Sequence, residues 1–302
     1  METLNQCKVC NSSTKTLWKV WEQHDALKLD GNNNYLTGYS WAALRTNFNV
    51  GKLMFDAGLS SNKSGEYIFI THGHSDHTAS LYFHTLSENH QTIYCPFEIE
   101  ESIKALLATT FRVCNYNIQY DQTEVKYTVV GVKAGDILEI KHNGINHRVH
   151  VYDNHHSVPC RSFGVQEQKK ILKTEYRTYI DSRKKELGDL RRAGIQIEEY
   201  VYIPRFVYVG DTTEDVFANN PELFEYKDII IECTFIEDDD IERAAEKKHC
   251  HWSLLRQIIR NHPNNNFILY HFSTRYTVND IETFFRKDGA NYEPNIHIWT
   301  NS

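Results

Sequence analysis

The stretch "EYIFITHGHSDHTASL", residues 66–81, constrains this chain most, because a short apolar run leads directly into three histidines and an aspartate. The run "YIFI" is β-branched or aromatic, which predicts a buried strand. His72 and His74 lie two apart on an extended segment, so they point the same way and can share one metal ion. Asp76 and His77 follow on a turn, where they can face a second ion. A lone histidine is usually a hydrogen-bonded core residue, but four ligand-type residues so close together predict a metal site.

Other apolar runs also end in ligand-type residues. "VHVYDNHHSVP" offers His155 or His156, "FVYVGD" offers Asp211, and "NFILYHFS" offers His271. Strand ends converge on one edge of a sheet, so we expect these side chains to meet the first cluster. Asp211 stands alone at its strand end and is the candidate for bridging two cations.

The order of the elements predicts an α/β chain with helices layered over sheet. Residues 1–34 are polar and broken, whereas short β-rich runs recur from Tyr35 onward. We therefore expect an N-terminal extension over 1–34 and one folded domain over 35–302, a size that can bury a substantial core.

The charge pattern limits the nucleic-acid sites that are possible. A net charge of -7 argues against general attraction to nucleic acid or anionic lipid. Inside the domain, residues 166–192 form a basic insertion, with nine Lys or Arg against four acids between Lys169 and Arg192. Such a run is usually a solvated helical insertion, and the alternative is a phosphate-contacting surface.

Seven scattered cysteines without a preceding signal peptide predict reduced thiols and a cytoplasmic location. No apolar stretch is long enough to predict a membrane span. Cys7 and Cys10 form a CxxC pair without a second pair at zinc-ribbon spacing. We interpret that pair as a turn with two thiols rather than a metal site.

The H-x-H-x-D-H motif, the later histidine, "GDT" and the last histidine resemble the metallo-β-lactamase superfamily. Within it, "FDAGL", "NHHSVPCRSFG", "IIIECTF", "HCHWSLL" and "LYHFSTRY" look like ribonuclease Z, the tRNA 3′-processing endonuclease, in its short plant-like form. The resemblance spans roughly residues 35 to 300 in the same order. It implies an αββα sandwich, in which two mixed β-sheets are flanked by helices.

The resemblance implies two Zn²⁺ per subunit, for which Mn²⁺ can substitute. His156 is preferred to His155 because it matches the family's histidine before "xVP". Asp211 bridges the two ions. The first ion would be held by His72, His74 and His156, and the second by Asp76, His77 and His271.

The same resemblance implies the catalytic residues. His251 in "HCHWS" matches the family's catalytic histidine, Glu232 matches the acidic residue that orients it, and His249 has no clear family role. Asp76 would help to orient the nucleophile. The implied reaction removes the 3′ trailer from precursor tRNA, leaving a 3′-hydroxyl on the tRNA and a 5′-phosphate on the trailer. A homodimer is also implied.

The chain departs from the family by having no long Gly/Pro-rich arm for gripping the tRNA elbow, and the basic insertion is the candidate replacement. The predicted substrate contacts are Lys169, Lys170, Lys173, Arg177, Arg183, Lys184, Lys185, Ser273 and Arg275.

Two alternative classes of function are a phosphodiesterase with another substrate and a redox or non-catalytic protein built on the same scaffold. A phosphodiesterase of the same fold, acting on a small or cyclic phosphodiester or another nucleic acid, would keep the metal ligands. A di-iron oxidoreductase would carry Glu in place of His74, and a decayed binding module would lack ligands. Neither departure is present in this chain.

Overall fold

The computed structural model describes residues 27–31, 34–60, 65–116, 119–121, 123–179 and 183–300. Cys7 and Cys10 lie outside these residues. The first described strand, β1 (Leu27–Lys28), pairs with residues 35 and 36, so the sheet begins ahead of Tyr35. The division into an extension and a domain stays a prediction.

The first sheet follows chain order and changes direction halfway. Strands β1 to β4 pair antiparallel, and β4 to β7 pair parallel. The further strands are β2 (Tyr35–Trp41), β3 (Arg45–Val50), β4 (Leu53–Phe55), β5 (Tyr67–Phe69), β6 (Gln91–Pro96) and β7 (Tyr127–Val132).

The second sheet repeats this plan. Strands β8 to β11 pair antiparallel, and β11 to β14 pair parallel. The strands are β8 (Ile137–His142), β9 (Ile145–Asp153), β10 (Arg161–Leu172), β11 (Glu198–Tyr208), β12 (Asp228–Glu232), β13 (Asn266–Tyr270) and β14 (Ile296–Ile298).

Helices cover the outer faces of both sheets. Ile103 and Leu107 of α3 pack on the first sheet, and Leu255 and Ile259 of α7 pack on the second. The α-helices are α1 (Ser75–Thr78), α2 (Leu81–His84), α3 (Glu100–Cys114), α4 (Lys184–Arg192), α5 (Val216–Asn219), α6 (Ile241–Lys247), α7 (Trp252–Asn261) and α8 (Val278–Phe284).

Aromatic residues of both sheets form the central core. Phe48 and Phe55 from the first sheet meet Tyr208 and Tyr270 from the second, with ring centroids 5.0–5.8 Å apart. The order helix, sheet, sheet, helix is the predicted αββα sandwich, so this prediction is confirmed. In the described residues no helix is long and apolar enough to cross a membrane.

The basic insertion extends the second sheet as a two-stranded arm. Strand β10 pairs with β9 only as far as Glu167, but it pairs with β11 out to residues 172 and 198. Helix α4 lies between these two strands in the chain. We call residues 168–200 the arm.

Parallel strands end at one edge of each sheet, and ligand-type residues gather there. In the first sheet His72 follows β5. In the second, Asp211 follows β11, Glu232 ends β12, and His271 follows β13. These two edges supply the candidate site.

Candidate metal centre

The H-x-H-x-D-H motif leaves β5 and folds back at once. The chain stays extended to His74, and the short helix α1 then turns Asp76 and His77 toward the same space. Gly58, in the turn after β4, permits this approach, because a Cβ there would lie 1.6 Å from the carbonyl oxygen of Asp76. Any larger residue at Gly58 would displace α1 and its two ligand-type side chains.

Three histidines and an aspartate form the first ligand group. Nε2 of His72 lies 3.0 Å from Nδ1 of His74, and Nε2 of His156 lies 3.4 Å from that same Nδ1. Oδ2 of Asp211 lies 3.7 Å from Nε2 of His72. All four ligand atoms fall within 4.8 Å of one another, which is compatible with one bound ion.

Asp76, His77 and His271 form the second group. Oδ2 of Asp76 lies 3.6 Å from Nε2 of His77 and 3.5 Å from Nε2 of His271. Asp211 reaches this group too, with Oδ1 at 3.6 Å from His77 and Oδ2 at 3.5 Å from His271. Asp211 therefore lies between the two groups, as expected for a bridging ligand.

Residues around the cluster hold the other ring nitrogen of four of these histidines. Such contacts fix the tautomer and the ring orientation of a metal ligand. The partners at Nδ1 are the Thr71 hydroxyl for His72, the Asp56 carboxylate for His77, the Lys248 carbonyl for His156 and the Thr234 hydroxyl for His271, at 2.8–3.1 Å.

Asp56 is the most heavily bonded of these partners. Its carboxylate also accepts hydrogen bonds from the backbone and hydroxyl of Thr71 and from the hydroxyl of Tyr208. The sequence motif "FDAGL" contains Asp56, but the motif alone does not predict a role for this residue. A buried aspartate between a strand and a turn was the available signal.

The electrostatics favour positive charge within the cluster. Burial lowers the pKa of His77, but the carboxylates of Asp211 and Asp56 outweigh burial and raise this pKa to about 10. Burial raises the pKa of Asp76, but the hydrogen bond to His271 and the charge of His77 bring it down to about 2. Burial holds the pKa of His72 well below its usual value, so that ring stays neutral and able to bind a metal.

A metal ion fits this set of side chains. Oδ1 of Asp211 is buried and accepts no hydrogen bond from the described residues. A buried carboxylate oxygen without a donor is costly, and a cation would satisfy it. Imidazole and carboxylate are ligands that Zn²⁺ takes.

The structure corrects the pairing of Glu232 with His251. Nδ1 of His249 lies 2.7 Å from the Glu232 carboxylate and 3.9 Å from Asp211, at the rim of the cluster. Burial lowers the pKa of His249, but the Glu232 charge and hydrogen bond raise it to about 9. The ligand atoms of Asp211, His249 and His271 also lie within 4.8 Å of one another.

His251 bonds other parts of the chain. It is fully buried just before α7, where its Nδ1 accepts the backbone N–H of Ser253 and its Nε2 donates to the Glu237 carbonyl. Both ring nitrogens are therefore occupied away from the cluster. Sequence reasoning missed that the residue directly before a helix acts as its cap.

The predicted substrate contacts fall into two groups, one that closely follows His271 in the chain and one in the basic insertion. Ser273 is buried, and Arg275 bonds Asp240 at 2.7 Å. Lys170, on the arm, bonds Glu198 at 2.6 Å. The nine ladder steps from the Phe163–Tyr208 pair to the Leu172–Glu198 pair put the far end of the paired strands about 30 Å from the strand ends near the cluster.

Several known proteins resemble this chain in sequence. No family model matches the chain. The tRNase Z TRZ1 of Arabidopsis thaliana is 27% identical over 241 residues, covering 76% of this chain and 81% of that protein. The ribonuclease Z of Staphylococcus saprophyticus is 24% identical over 246 residues, covering 72% of this chain and 74% of that protein.

Among solved structures, the metallo-β-lactamase fold protein YhfI from Bacillus subtilis superposes with a TM-score of 0.53 at 14% identity. The match covers 82% of this chain and 90% of that one. Fold and site together define the class of protein, one with the metallo-β-lactamase fold and with side chains that could hold metal ions where its two sheets meet. Within that class, the resemblance to ribonuclease Z that the motifs predicted is confirmed by the sequence relatives.

Proposed function

We propose that the chain is a zinc-dependent endoribonuclease that removes the 3′ trailer from precursor tRNA, leaving a 3′-hydroxyl on the tRNA and a 5′-phosphate on the trailer. The observation that carries the proposal is the convergence of two ligand groups on Asp211, with the Glu232–His249 pair at their rim. The relatives named tRNase Z and ribonuclease Z support RNA as the substrate.

The metal ligands in this proposal are the seven residues expected from the motifs. His72, His74 and His156 would hold one Zn²⁺, Asp76, His77 and His271 would hold the other, and Asp211 would be shared between them. When bound, two such ions supply a hydroxide at neutral pH and stabilise charge on a phosphoryl oxygen. Mn²⁺ accepts the same nitrogen and oxygen ligands and can replace Zn²⁺.

The protein's own residues supply the proton. His249, held by the Glu232 carboxylate, donates its proton to the departing 3′ oxygen of the RNA. The Glu232 carboxylate holds Nδ1 of His249, and the charge on Glu232 stabilises the imidazolium. Asp76, fixed by the backbone N–H of Ala43 at 2.9 Å, orients the attacking oxygen. The P–O bond to the trailer's 5′ oxygen remains, so the phosphate leaves with the trailer.

The arm grips the body of the RNA. Its lysines and arginines form a local positive surface on a chain of net charge -7. Because the strands of the arm extend to about 30 Å along the sheet from the strand ends at the cluster, the arm contacts a part of the substrate remote from the cleaved bond. A substrate that reaches both places at once must be long, as a precursor tRNA is and a small phosphodiester is not.

The protein acts as a homodimer in this proposal. Helix α3 exposes Leu106 and Val113, and the exposed Tyr116 follows it. An exposed apolar surface of this kind marks an interface. Burying it against a second copy would remove it from water, and sedimentation of the purified protein gives the oligomeric state.

The cytoplasm is the proposed location. Cys95, Cys114, Cys160, Cys233 and Cys250 are free thiols in the structure, as expected for a protein of a reducing compartment.

The test is a cleavage assay with two substrates. Precursor tRNA carrying a 3′ trailer and bis(p-nitrophenyl) phosphate are offered separately to the zinc-loaded protein. We expect a single cut in the RNA, with a 3′-hydroxyl and a 5′-phosphate as its products. Turnover of the small ester beside intact precursor tRNA would instead favour the small-phosphodiester function. The Asp211→Asn variant is the control and should lose both activities.

A further inference from the structure

Lys248 has a backbone conformation that lysine rarely adopts. It ends helix α6 with φ 55° and ψ 54°, and its N–H bonds the carbonyls of Ala244 and Ala245. Glycine is the usual residue at such a left-handed helix end, because a Cβ is disfavoured there. A strained residue beside a candidate site is a reason to ask what its side chain does.

The backbone carbonyl and the side-chain ammonium group of Lys248 both contact His156. The backbone carbonyl of Lys248 accepts the Nδ1 hydrogen of His156 at 3.0 Å, and its Nζ donates to the carbonyl of His156 at 3.3 Å. The first bond leaves Nε2 of His156 free to face His74 in the cluster. The second holds the backbone from which that ring projects.

These two contacts join the loop that carries His156 to the loop that carries His249. His249 directly follows Lys248, and its ring lies 5.1 Å from the ring of His156. His156 belongs to the segment between β9 and β10, far from Lys248 in sequence. Movement of either loop would change the distance between a candidate metal ligand and the candidate acid.

We propose that Lys248 is a positioning residue, whose ammonium group and carbonyl hold His156 for the metal and keep it in register with His249. The inference rests on the proposed function, because it assigns His156 to the metal. Lysine is less favourable than glycine in the left-handed backbone conformation at the end of α6, but its side chain fixes the position of His156.

Glycine substitution separates this role from simple helix termination. Lys248→Gly keeps the carbonyl, relieves the strained φ and removes the ammonium group. If Lys248 only ended the helix, glycine would raise or maintain the thermal midpoint and leave zinc affinity unchanged. If Lys248 positions His156, glycine weakens zinc binding even though the fold is as stable as before.

The experiment measures zinc affinity of metal-free protein by competition with a chromogenic chelator, alongside the thermal midpoint and kcat and KM for bis(p-nitrophenyl) phosphate. We expect Lys248→Gly and Lys248→Met to bind zinc about 10–100-fold more weakly, the loss typical of residues that orient a metal ligand. Lys248→Arg, which keeps a cation that can donate, should recover most of that loss. Lys247→Met is the matched control, because Lys247 is exposed and pairs only with Glu246 among the described residues.

Two outcomes overturn the inference, and they are distinguishable. Wild-type protein that binds no zinc removes the proposed function and this inference together. Wild-type protein that binds zinc, beside a Lys248→Gly variant of equal affinity and equal kcat, removes only the role of Lys248. A split in which kcat falls while KM is unchanged supports misplacement of His156 and His249 rather than loss of substrate contact.

Discussion

His249 and His251 stand two residues apart, yet their surroundings give them different chemistry. His249 is partly accessible, faces the metal ligands and is held by Glu232. His251 is fully buried, and its ring nitrogens bond the backbone of Ser253, at the start of α7, and of Glu237, ahead of α6. The first can exchange a proton with a substrate, whereas the second cannot without breaking the end of a helix.

This difference predicts opposite results for two alanine variants. His249→Ala should lower kcat for precursor tRNA by about 10²- to 10⁴-fold, the usual contribution of a general acid, in protein that is still folded under the conditions of the assay. His251→Ala should cost about 1–3 kcal/mol of stability, because the N–H of Ser253 and the carbonyl of Glu237 lose a buried partner. Single-turnover cleavage and urea unfolding of both variants measure the two effects.

The reverse pattern would restore His251 to the catalytic role. A His251→Ala protein of full stability but greatly reduced kcat, beside an active His249→Ala protein, is the result that contradicts the assignment made from the structure.

For single residues, the sequence predicts which side chains at strand ends meet at the site. It does not predict the roles of residues that depend on where a helix begins or ends. His72, Asp211 and His271 follow apolar runs, so their convergence could be expected before the structure. His249 and His251 lie in one short motif, and only the start of α7 at Trp252 tells which of them caps the helix. Lys248 carries no pattern, because its contact with His156 crosses from one distant loop to another.

Among the elements, the arm begins beside a group of ion pairs centred on Arg205. The register of β10 and β11 shifts beside Gln166, and the bulge contains Arg205. The Arg205 guanidinium bonds Asp30 at 2.8 Å and Glu167 at 3.4 Å, so it ties the arm to the segment after β1. The sequence predicts the basic charge of the insertion, but its strand pairing depends on contacts with residues far along the chain.

Reversing charge on the arm should weaken RNA binding without affecting the chemistry at the metal. In a combined variant, Lys169, Lys173, Lys184 and Lys185 are each replaced by Glu. Its affinity for precursor tRNA should fall by at least about tenfold at moderate salt, and the dependence of that affinity on salt should flatten, because fewer counterions are released. Turnover of bis(p-nitrophenyl) phosphate should match the wild type. Filter binding at several salt concentrations measures the slope.

Lys287→Glu, an exposed change of the same sign outside the arm, is the control. A loss of binding free energy in that variant of about one quarter the size, in proportion to its smaller change of charge, would show that overall charge, rather than the arm, attracts the RNA.

Across the whole molecule, the two sheets repeat one plan, with antiparallel pairings leading into parallel ones. Each half contributes one edge of ligands, so neither half holds a complete site. The sequence predicts the layers because its apolar runs are short and separated by helical patterns. The sequence does not predict that β10 and β11 extend beyond the other strands of the second sheet. Their register depends on how the two strands pair with each other, and neither strand alone determines it.

Folding of the second half involves a carboxyl group whose titration should be visible in global stability. Glu214 lies after β11 and accepts the backbone N–H of His251 at the start of α7. Burial, with the nearby charges of Glu232 and Asp215, raises the pKa of Glu214 from 4.5 to about 7. The folded state thus binds this proton more tightly than the unfolded state does. Stability from Glu214 is complete below pH 4.5 and is lost as the pH rises through about 7.

Glu214→Gln removes this titration while keeping an oxygen that can accept from His251. The unfolding free energy of the variant, relative to wild type, should therefore increase between pH 5 and pH 8 by on the order of 1–3 kcal/mol. Urea unfolding of metal-free protein at both pH values gives the difference, in which the titrations shared by the two proteins cancel. Asp215→Asn, an exposed neighbouring acid, should show little change with pH. An equal pH dependence in both variants would mean that general surface charge, and not the buried carboxyl of Glu214, sets the stability in this range.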